Sequence, residues 1–304
     1  MRVLLCSLAA FIGAALPSHA LAWGDVGHQL ICQIAYKELT DSTRTKLDAI
    51  MQADTSANSL TTKTFAQACI RPDHPRTRAP EHFLNVSRDT KRIDTDPCSA
   101  AAPCVLSAIK ADLATASDSS KTNAKRKLAL AFLGHWVGDV HQPLHVSFED
   151  DRGGNEINAK SLCASEDYGS KNLHAVWDVC LVEQPRGITK ADLTNGPKIS
   201  MIRTKADELR QSITDANRTE WNSSDPVVWA DESFQISKKD STKYCTEKDG
   251  ACWYSATNEA WATGEAKRSV SASQAYIDAN KDIVSQRLEK AGVRLSKLLE
   301  QALQ

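Results

Sequence analysis

An excess of charge of either sign is what this chain lacks first: 37 Lys and Arg stand against 38 Asp and Glu, a formal net charge of -1. That excludes a broad basic surface able to hold nucleic acid or anionic membrane by charge alone, so any polyanion must be held by local charge. Beyond the amino-terminal leader there is no apolar run long enough to cross a bilayer. No Cys-x-x-Cys pair occurs, which weakens the case for a thiolate zinc site. Internal repeats, low-complexity tracts and linkers are missing too. At 304 residues, 41% hydrophobic and 25% charged, the chain reads as one soluble globular domain.

What is present begins with a secretory leader. Arg2 supplies the positive start, Val3 to Leu16 the apolar stretch, and Ala20-Leu21-Ala22 a small-x-small cleavage site. Residues 1–22 are expected to be removed, leaving a domain over 23–304 that starts at Trp23. The apolar stretch is too short for a retained anchor and Cys6 lies too early for lipid attachment, so a secreted or periplasmic product without a membrane anchor is expected. Setting Cys6 aside, the nine cysteines leave an even set at 32, 69, 98, 104, 163, 180, 245 and 252. In an exported chain this reads as up to four disulfides. Cys98 with Cys104 and Cys245 with Cys252 suit small loops, and Cys163 with Cys180 and Cys32 with Cys69 follow by elimination. Thiolate metal binding is the alternative.

Helical periodicity dominates the rest. Asp25 to Leu39 places Val26, Leu30, Ile34 and Leu39 near one face, and a second helix fits Asp41 to Met51. Helices are expected over Val105 to Ser117, Ala124 to Val140, from about Asn172, and near 198–218, 226–236 and 253–263. A long final helix from Ser273 to Leu303 carries Ile277, Val284, Leu288, Ala291, Leu295, Leu298 and Ala302 on its apolar face. Pro72 to Thr95 has no period and is expected to be a long ordered loop of the sort that carries function. Glycines and acidic residues between Phe148 and Val179 suggest a loop or hairpin. The expected fold class is mainly α, a single-domain helical bundle with a small irregular or β-hairpin segment.

The chemistry concentrates in FLGHWVGDVHQPLH, Phe132 to His145. Positions four apart share a helix face, so His135 and Asp139 can aim an imidazole and a carboxylate at one point. Pro143 ends the helix and lets His145 fold back toward the same place. Imidazole and carboxylate are zinc ligands, and a carboxylate's two oxygens can bridge two ions. NLHAVWDVC holds a second such pair, His174 and Asp178, and ligand pairs on two helices recur in helical-bundle metal sites. His28, His82 and Asp73 would each, taken alone, be an ordinary satisfied histidine or solvated acid.

Taken together these stretches resemble the S1/P1 family of secreted zinc-dependent nucleases. WGDVGH (Trp23 to His28), PDHPR (Pro72 to Arg76), HF (His82, Phe83), GHWVGDVHQPLH (Gly134 to His145), GGN (Gly153 to Asn155), NLHAVWD (Asn172 to Asp178) and WA-x-ES (Trp229, Ala230, Glu232, Ser233) carry the likeness in matching order. The resemblance implies a helical bundle of the phospholipase C/P1 nuclease type holding three Zn2+. Asp73, His82, His135 and Asp139 would hold the first, His145, His174 and Asp178 the second, and His28, Asp139 and Trp23 the third. Trp23 would bind through its α-amine and carbonyl, which makes leader removal an activating step, since an amide nitrogen has no lone pair to give.

The activity implied is endonucleolytic hydrolysis of single-stranded DNA and RNA to 5′-phosphorylated products, with 3′-mononucleotides as further substrates. A metal-activated hydroxide would be the nucleophile. Asp73, Arg76 and Asn155 resemble the family's catalytic residues, Arg76 as a phosphate contact and Asn155 as a phosphate or metal-water contact. Phe83 resembles the base-stacking aromatic. Asn85 stands where fungal members have Asp, so base preference is expected to differ. A monomer is expected. His74 and His141 receive no role. Asn85, Asn217 and Asn222 begin glycan acceptor triplets, which matter in a eukaryotic source. The same fold and much of the ligand set serve zinc-dependent phospholipase C, the nearest alternative, and a secreted metal-binding protein without catalysis is a third.

Overall fold

One helix, buried nearly all round, sets the architecture. From Ala129 to His141 every side chain of α5 (Asn123–His141) is buried, so neighbours must cover it on all sides. Residues 23–53, 60–161, 172–222, 225–255, 257 and 268–304 are described by the computed structural model. Ahead of α5 come α1 (Asp25–Glu38), α2 (Asp41–Met51), α3 (Phe65–Ala68) and α4 (Val105–Ser117). After it come α6 (Leu173–Ala175), α7 (Leu181–Glu183), α8 (Lys190–Leu193), α9 (Ile199–Arg210), α10 (Asp215–Trp221), α11 (Pro226–Ser237) and α12 (Gln274–Ala302). A π turn over Val176–Cys180 joins α6 to α7. α4, α1, α11 and α12 pack against α5, while α1 in turn packs on α12 and α9.

Local signals explain the boundaries. Thr122 caps α5 by accepting from the Lys125 amide at 3.4 Å. The helix stops at His141 because Pro143 forces Gln142 out of the helical region, and a short 3-10 turn over Pro143–His145 swings His145 back. Gly138 lets α1 approach closely: a Cβ there would lie 2.7 Å from Nδ1 of His28. α12 buries Ile277, Val284, Leu288, Ala291, Leu295, Leu298 and Ala302, the periodic stripe expected of it.

Strands are few and short. β1 (Leu84–Val86) pairs in parallel with β2 (Val146–Phe148), β3 (Asn158–Ser161) pairs in parallel with β6 (Ser269–Ala272), and β4 (Thr246–Lys248) with β5 (Ala251–Trp253) makes an antiparallel hairpin. The mainly helical expectation therefore holds, with local corrections. Residues 149–157 form turns, and the strands flanking them pair with distant partners; the hairpin lies at 246–253 instead. The helix expected over 198–218 is two, α9 and α10, because Thr214 opens a new capping box. Where a helix was expected from 253, Trp253 ends β5, and most of the remaining stretch lies outside the described residues.

The structure joins Cys32 to Cys69, Cys98 to Cys104 and Cys245 to Cys252. Cys180 is also disulfide-bonded, and its expected partner Cys163 lies outside the described residues, as does the leader at 1–22. No described helix is long and apolar enough to cross a membrane.

Candidate metal centre

Three chain segments converge beside the carboxyl-terminal half of α5. The loop before β1 brings Asp73 and His82, α5 and its terminal turn bring His135, Asp139 and His145, and the α6–π turn brings His174 and Asp178. α1 adds His28. All eight side chains are buried. Nε2 of His135 lies 3.6 Å from Asp73 Oδ2 and 3.4 Å from Asp139 Oδ2. Nδ1 of His82 lies 3.7 Å from Asp73 Oδ1 and 3.2 Å from Asp139 Oδ2. The other Asp139 oxygen faces His28 Nε2 at 3.4 Å. His145 and His174 stand 3.7 and 3.5 Å from opposite oxygens of Asp178.

Backbone carbonyls decide which imidazole nitrogen faces inward. A carbonyl only accepts, so His135 Nδ1 donates to Cys69 at 2.8 Å, His82 Nε2 to Thr77 at 3.0 Å, His145 Nδ1 to His82 at 2.5 Å and His174 Nδ1 to Gly153 at 2.7 Å. Each neutral ring has then spent its one proton outward, leaving a bare nitrogen toward the cluster. Two bare nitrogens meet at 3.1 Å between His82 and His135, and two more at 3.0 Å between His145 and His174. Lone pairs directed at each other repel unless a cation lies between them. Both oxygens of Asp139, Oδ1 of Asp73, Oδ2 of Asp178 and both nitrogens of His28 are buried without a hydrogen-bond partner. Such groups are costly to bury unless something positive completes them. The donor set therefore fits metal ions, in three groups: His28–His135–Asp139, Asp73–His82–His135 and His145–His174–Asp178.

Protein charge alone does not neutralise this cluster. Burial, the largest influence, pushes the Asp73 carboxyl up to about 7, Asp178 up to about 6 and Asp139 well above the carboxylate range. Burial likewise lowers His82, His145 and His174 to about 4, and His28 and His135 well below their ordinary value. Neutral imidazoles are the form a metal accepts.

Trp23 is fully buried, and its indole donates to the Gly138 carbonyl at 2.9 Å, one residue before Asp139. The Gly24 amide donates to the Asp178 carbonyl at 2.9 Å. The start of α1 is thus tied to both histidine–aspartate pairs.

Above the cluster opens a cavity of about 330 Å3, lined by Arg76, Ala79, Phe83, Asn85, Leu144, His145, Arg152, Asn155 and His174. It brings Arg76, Asn155, Phe83 and Asn85 together with two of the cluster's imidazoles, whereas Asp73 lies within the cluster and does not line the cavity. Asn155 is tied down within its loop: its Nδ2 donates to the Arg152 carbonyl at 2.7 Å, and its Oδ1 accepts from Asn172 at 3.4 Å.

Sequence reasoning passed over several members of the site. Gln142 donates to Asp178 Oδ1 at 2.5 Å, and its place inside HQPLH was the available signal. Arg152 was overlooked beside GGN. His74 pairs with Asp25 at 2.7 Å, and His141 accepts from Arg294 at 2.9 Å on the far side of α5; both stand apart from the donor groups.

Helical packing around buried imidazoles and carboxylates, beneath an open cavity, makes this a mainly α protein whose donor groups could hold metal ions. The S1/P1 Nuclease family model matches residues 23–304, and the chain belongs to that family. It is 29% identical to Endonuclease 2 of Arabidopsis thaliana over 302 residues, covering 91% of this chain and 89% of that protein. To Nuclease S1 of Aspergillus oryzae it is 27% identical over 303 residues, with 94% and 93% covered. To Nuclease P1 of Penicillium citrinum it is 26% identical over 203 residues, with 65% and 69% covered. Membership makes it a nuclease, a hydrolase acting on nucleic acid.

Proposed function

We propose that this chain is a secreted, zinc-dependent endonuclease that hydrolyses phosphodiester bonds of single-stranded DNA and RNA to 5′-phosphorylated products and also accepts 3′-mononucleotides. The two pairs of opposed bare imidazole nitrogens, each beside a buried aspartate, carry the reading. Asp73, His82, His135 and Asp139 would hold one zinc, His145, His174 and Asp178 a second, and His28, Asp139 and the freed amine of Trp23 a third. Zinc held there would make hydroxide available as nucleophile near neutral pH and would offset charge growing on the phosphoryl oxygens.

The protein's own groups do the rest. Arg76 lines the cavity and is among the main charges acting on Asp73, Asp139 and His145, which suits its guanidinium to a phosphate oxygen of the bound strand. Phe83 is half-buried in the cavity wall and offers a base an apolar face, a contact indifferent to which base is present. Asn85 sits beside it and can both donate to and accept from a base edge. Asn155 steadies the loop that forms another part of the wall. The three disulfides among the described residues, with Cys180 bonded as well, fit an oxidising compartment. The relatives are named nucleases and endonucleases, which favours this reading over phospholipase C.

The test is a zinc count on protein beginning at Trp23, paired with digestion of single-stranded DNA, RNA and lecithin with and without chelator. Near three zinc per chain and chelator-sensitive release of 5′-phosphorylated nucleotides are expected. Release of phosphocholine with intact nucleic acid would overturn the reading.

A further inference from the structure

Arg152 shares the cavity with Arg76 but stands differently in it. Its side chain is 66% exposed, and the nearest carboxylate among the described residues, Glu156, pairs with it at 3.8 Å, longer than a hydrogen bond. Arg76 is among the principal influences on the proton affinities of Asp73, His82, Asp139, His145, His174 and Asp178. Arg152 is among the principal influences on none of them. Both guanidiniums line the cavity, Arg76 partly buried and Arg152 exposed, so Arg152 stands in its outer part.

The backbone that presents Arg152 is held against its preference. Its φ of 56° opens a run of three left-handed residues, continued by Gly153 at 66° and Gly154 at 79°. Glycine takes such angles freely and arginine does so at a cost, so the side chain here is not there to make the turn. Surrounding bonds enforce the shape. The Arg152 amide donates to the Glu149 carbonyl at 3.1 Å, and its own carbonyl accepts from Asn155 Nδ2. Beneath, Asp151 is buried and fixed by Arg88, by the Tyr244 hydroxyl at 2.6 Å and by the Gly154 amide at 2.9 Å. A flexible cation is thus anchored on a rigid turn, in a chain whose overall charge attracts no polyanion.

We propose that Arg152 binds the phosphodiester adjacent to the scissile one in a single-stranded oligonucleotide, a subsite separate from that of Arg76. This rests on the nuclease reading above and gives it a length dependence. A strand with two phosphates engages both arginines, whereas a dinucleoside monophosphate offers only the phosphate being cleaved. The site recognises a phosphodiester oxygen and so is indifferent to the base.

The experiment compares hydrolysis of a dinucleoside monophosphate and a trinucleoside diphosphate by zinc-loaded wild type, Arg152→Gly and Arg152→Lys. Glycine suits the left-handed turn, so the first variant is expected to fold with an unchanged zinc content. Wild type should prefer the longer substrate, mainly through KM. Arg152→Gly should lose about tenfold of that preference, and the salt dependence of log KM on the longer substrate should fall by about 0.7, the counterion share of one single-strand phosphate. Arg152→Lys should recover part of both. Equal losses on the two substrates, an unaltered preference in Arg152→Gly, or no length preference in wild type would overturn the subsite. If wild type cleaves neither substrate while zinc is bound, the nuclease reading itself fails and the subsite with it.

Discussion

Nε2 of His145 and Nε2 of His174 face each other at 3.0 Å, each ring having given its proton to a carbonyl behind it. That contact repels in the bare protein and would be relieved by a dication held by both rings, which would link metal to fold. An ion held at a thousand times its Kd adds about 4 kcal/mol to stability. Chelation of the processed protein is therefore expected to lower Tm by at least about 10 °C, with recovery on adding zinc back. Coincident melting curves with and without chelator would refute this linkage.

Gln142 is the only described side chain that donates to Asp178, and the same amide's oxygen accepts from the Leu144 backbone at 2.5 Å. It fixes both the carboxylate and the turn that carries His145. Gln142→Ala should weaken zinc retention by about 10- to 100-fold, the usual cost of losing a group that orients a metal ligand. Asp178→Asn should cost more than about 100-fold by the same measure. Zinc competition titrations read both directly, and equal affinity of Gln142→Ala and wild type would remove Gln142 from the site.

Gly153 supports His174 from the other side. Its carbonyl takes the Nδ1 proton, its φ is 66°, and a Cβ added there would lie 2.4 Å from the Leu144 carbonyl oxygen. The neighbour is backbone in the same turn as His145, so the chain itself must shift. Gly153→Ala is expected to cost about 1–3 kcal/mol from the backbone angle alone, with added loss of zinc as His145 and His174 move. Denaturant unfolding with and without zinc separates the two effects; a variant as stable as wild type in both would contradict the close approach.

How far the site could be read from sequence follows from what each part demands of its residues. Histidine and aspartate four apart leave a helical signature, so His135 with Asp139 was legible, and His174 with Asp178 stayed so even though its turn is π rather than α. Buried faces of α1 and α12 showed in their periodicity. The carbonyls of Cys69, Thr77, His82 and Gly153 did not show, because any residue supplies a carbonyl and only the fold aims it. The parallel pairing of β1 with β2 and of β3 with β6 joins segments too far apart for local pattern to reveal. Arg152 was masked by the glycines after it, whose turn signal reads as loop and nothing more.

Behind the face of α5 that carries His135 and Asp139 lies a second buried network that the cluster does not touch. Glu232 on α11 takes Arg287 Nη1 at 2.5 Å and Arg294 at 2.7 Å, and both arginines are buried in α12. Arg287 Nε also donates to the His141 carbonyl at 3.0 Å, and Ser233 to that of Val140 at 2.5 Å, so the network grips the end of α5 just past Asp139. Burial by itself would raise the Glu232 carboxyl, but Arg294, Arg287 and Lys290 outweigh it and hold the group at about 2 against an ordinary 4.5. A lowered folded value means that the contribution is complete above about 4.5 and drains away as pH falls toward 2. Wild type should lose stability across that window, and Glu232→Gln, already weakened at neutral pH, should lose less within it. Glu232→Ala leaves two guanidiniums buried without their anion and is expected to cost about 3–5 kcal/mol at pH 7. Urea unfolding of the chelated proteins at pH 7, 4.5 and 3, where zinc loss in acid does not enter, reads the difference, and parallel pH profiles for wild type and Glu232→Gln would show that the stability comes from elsewhere.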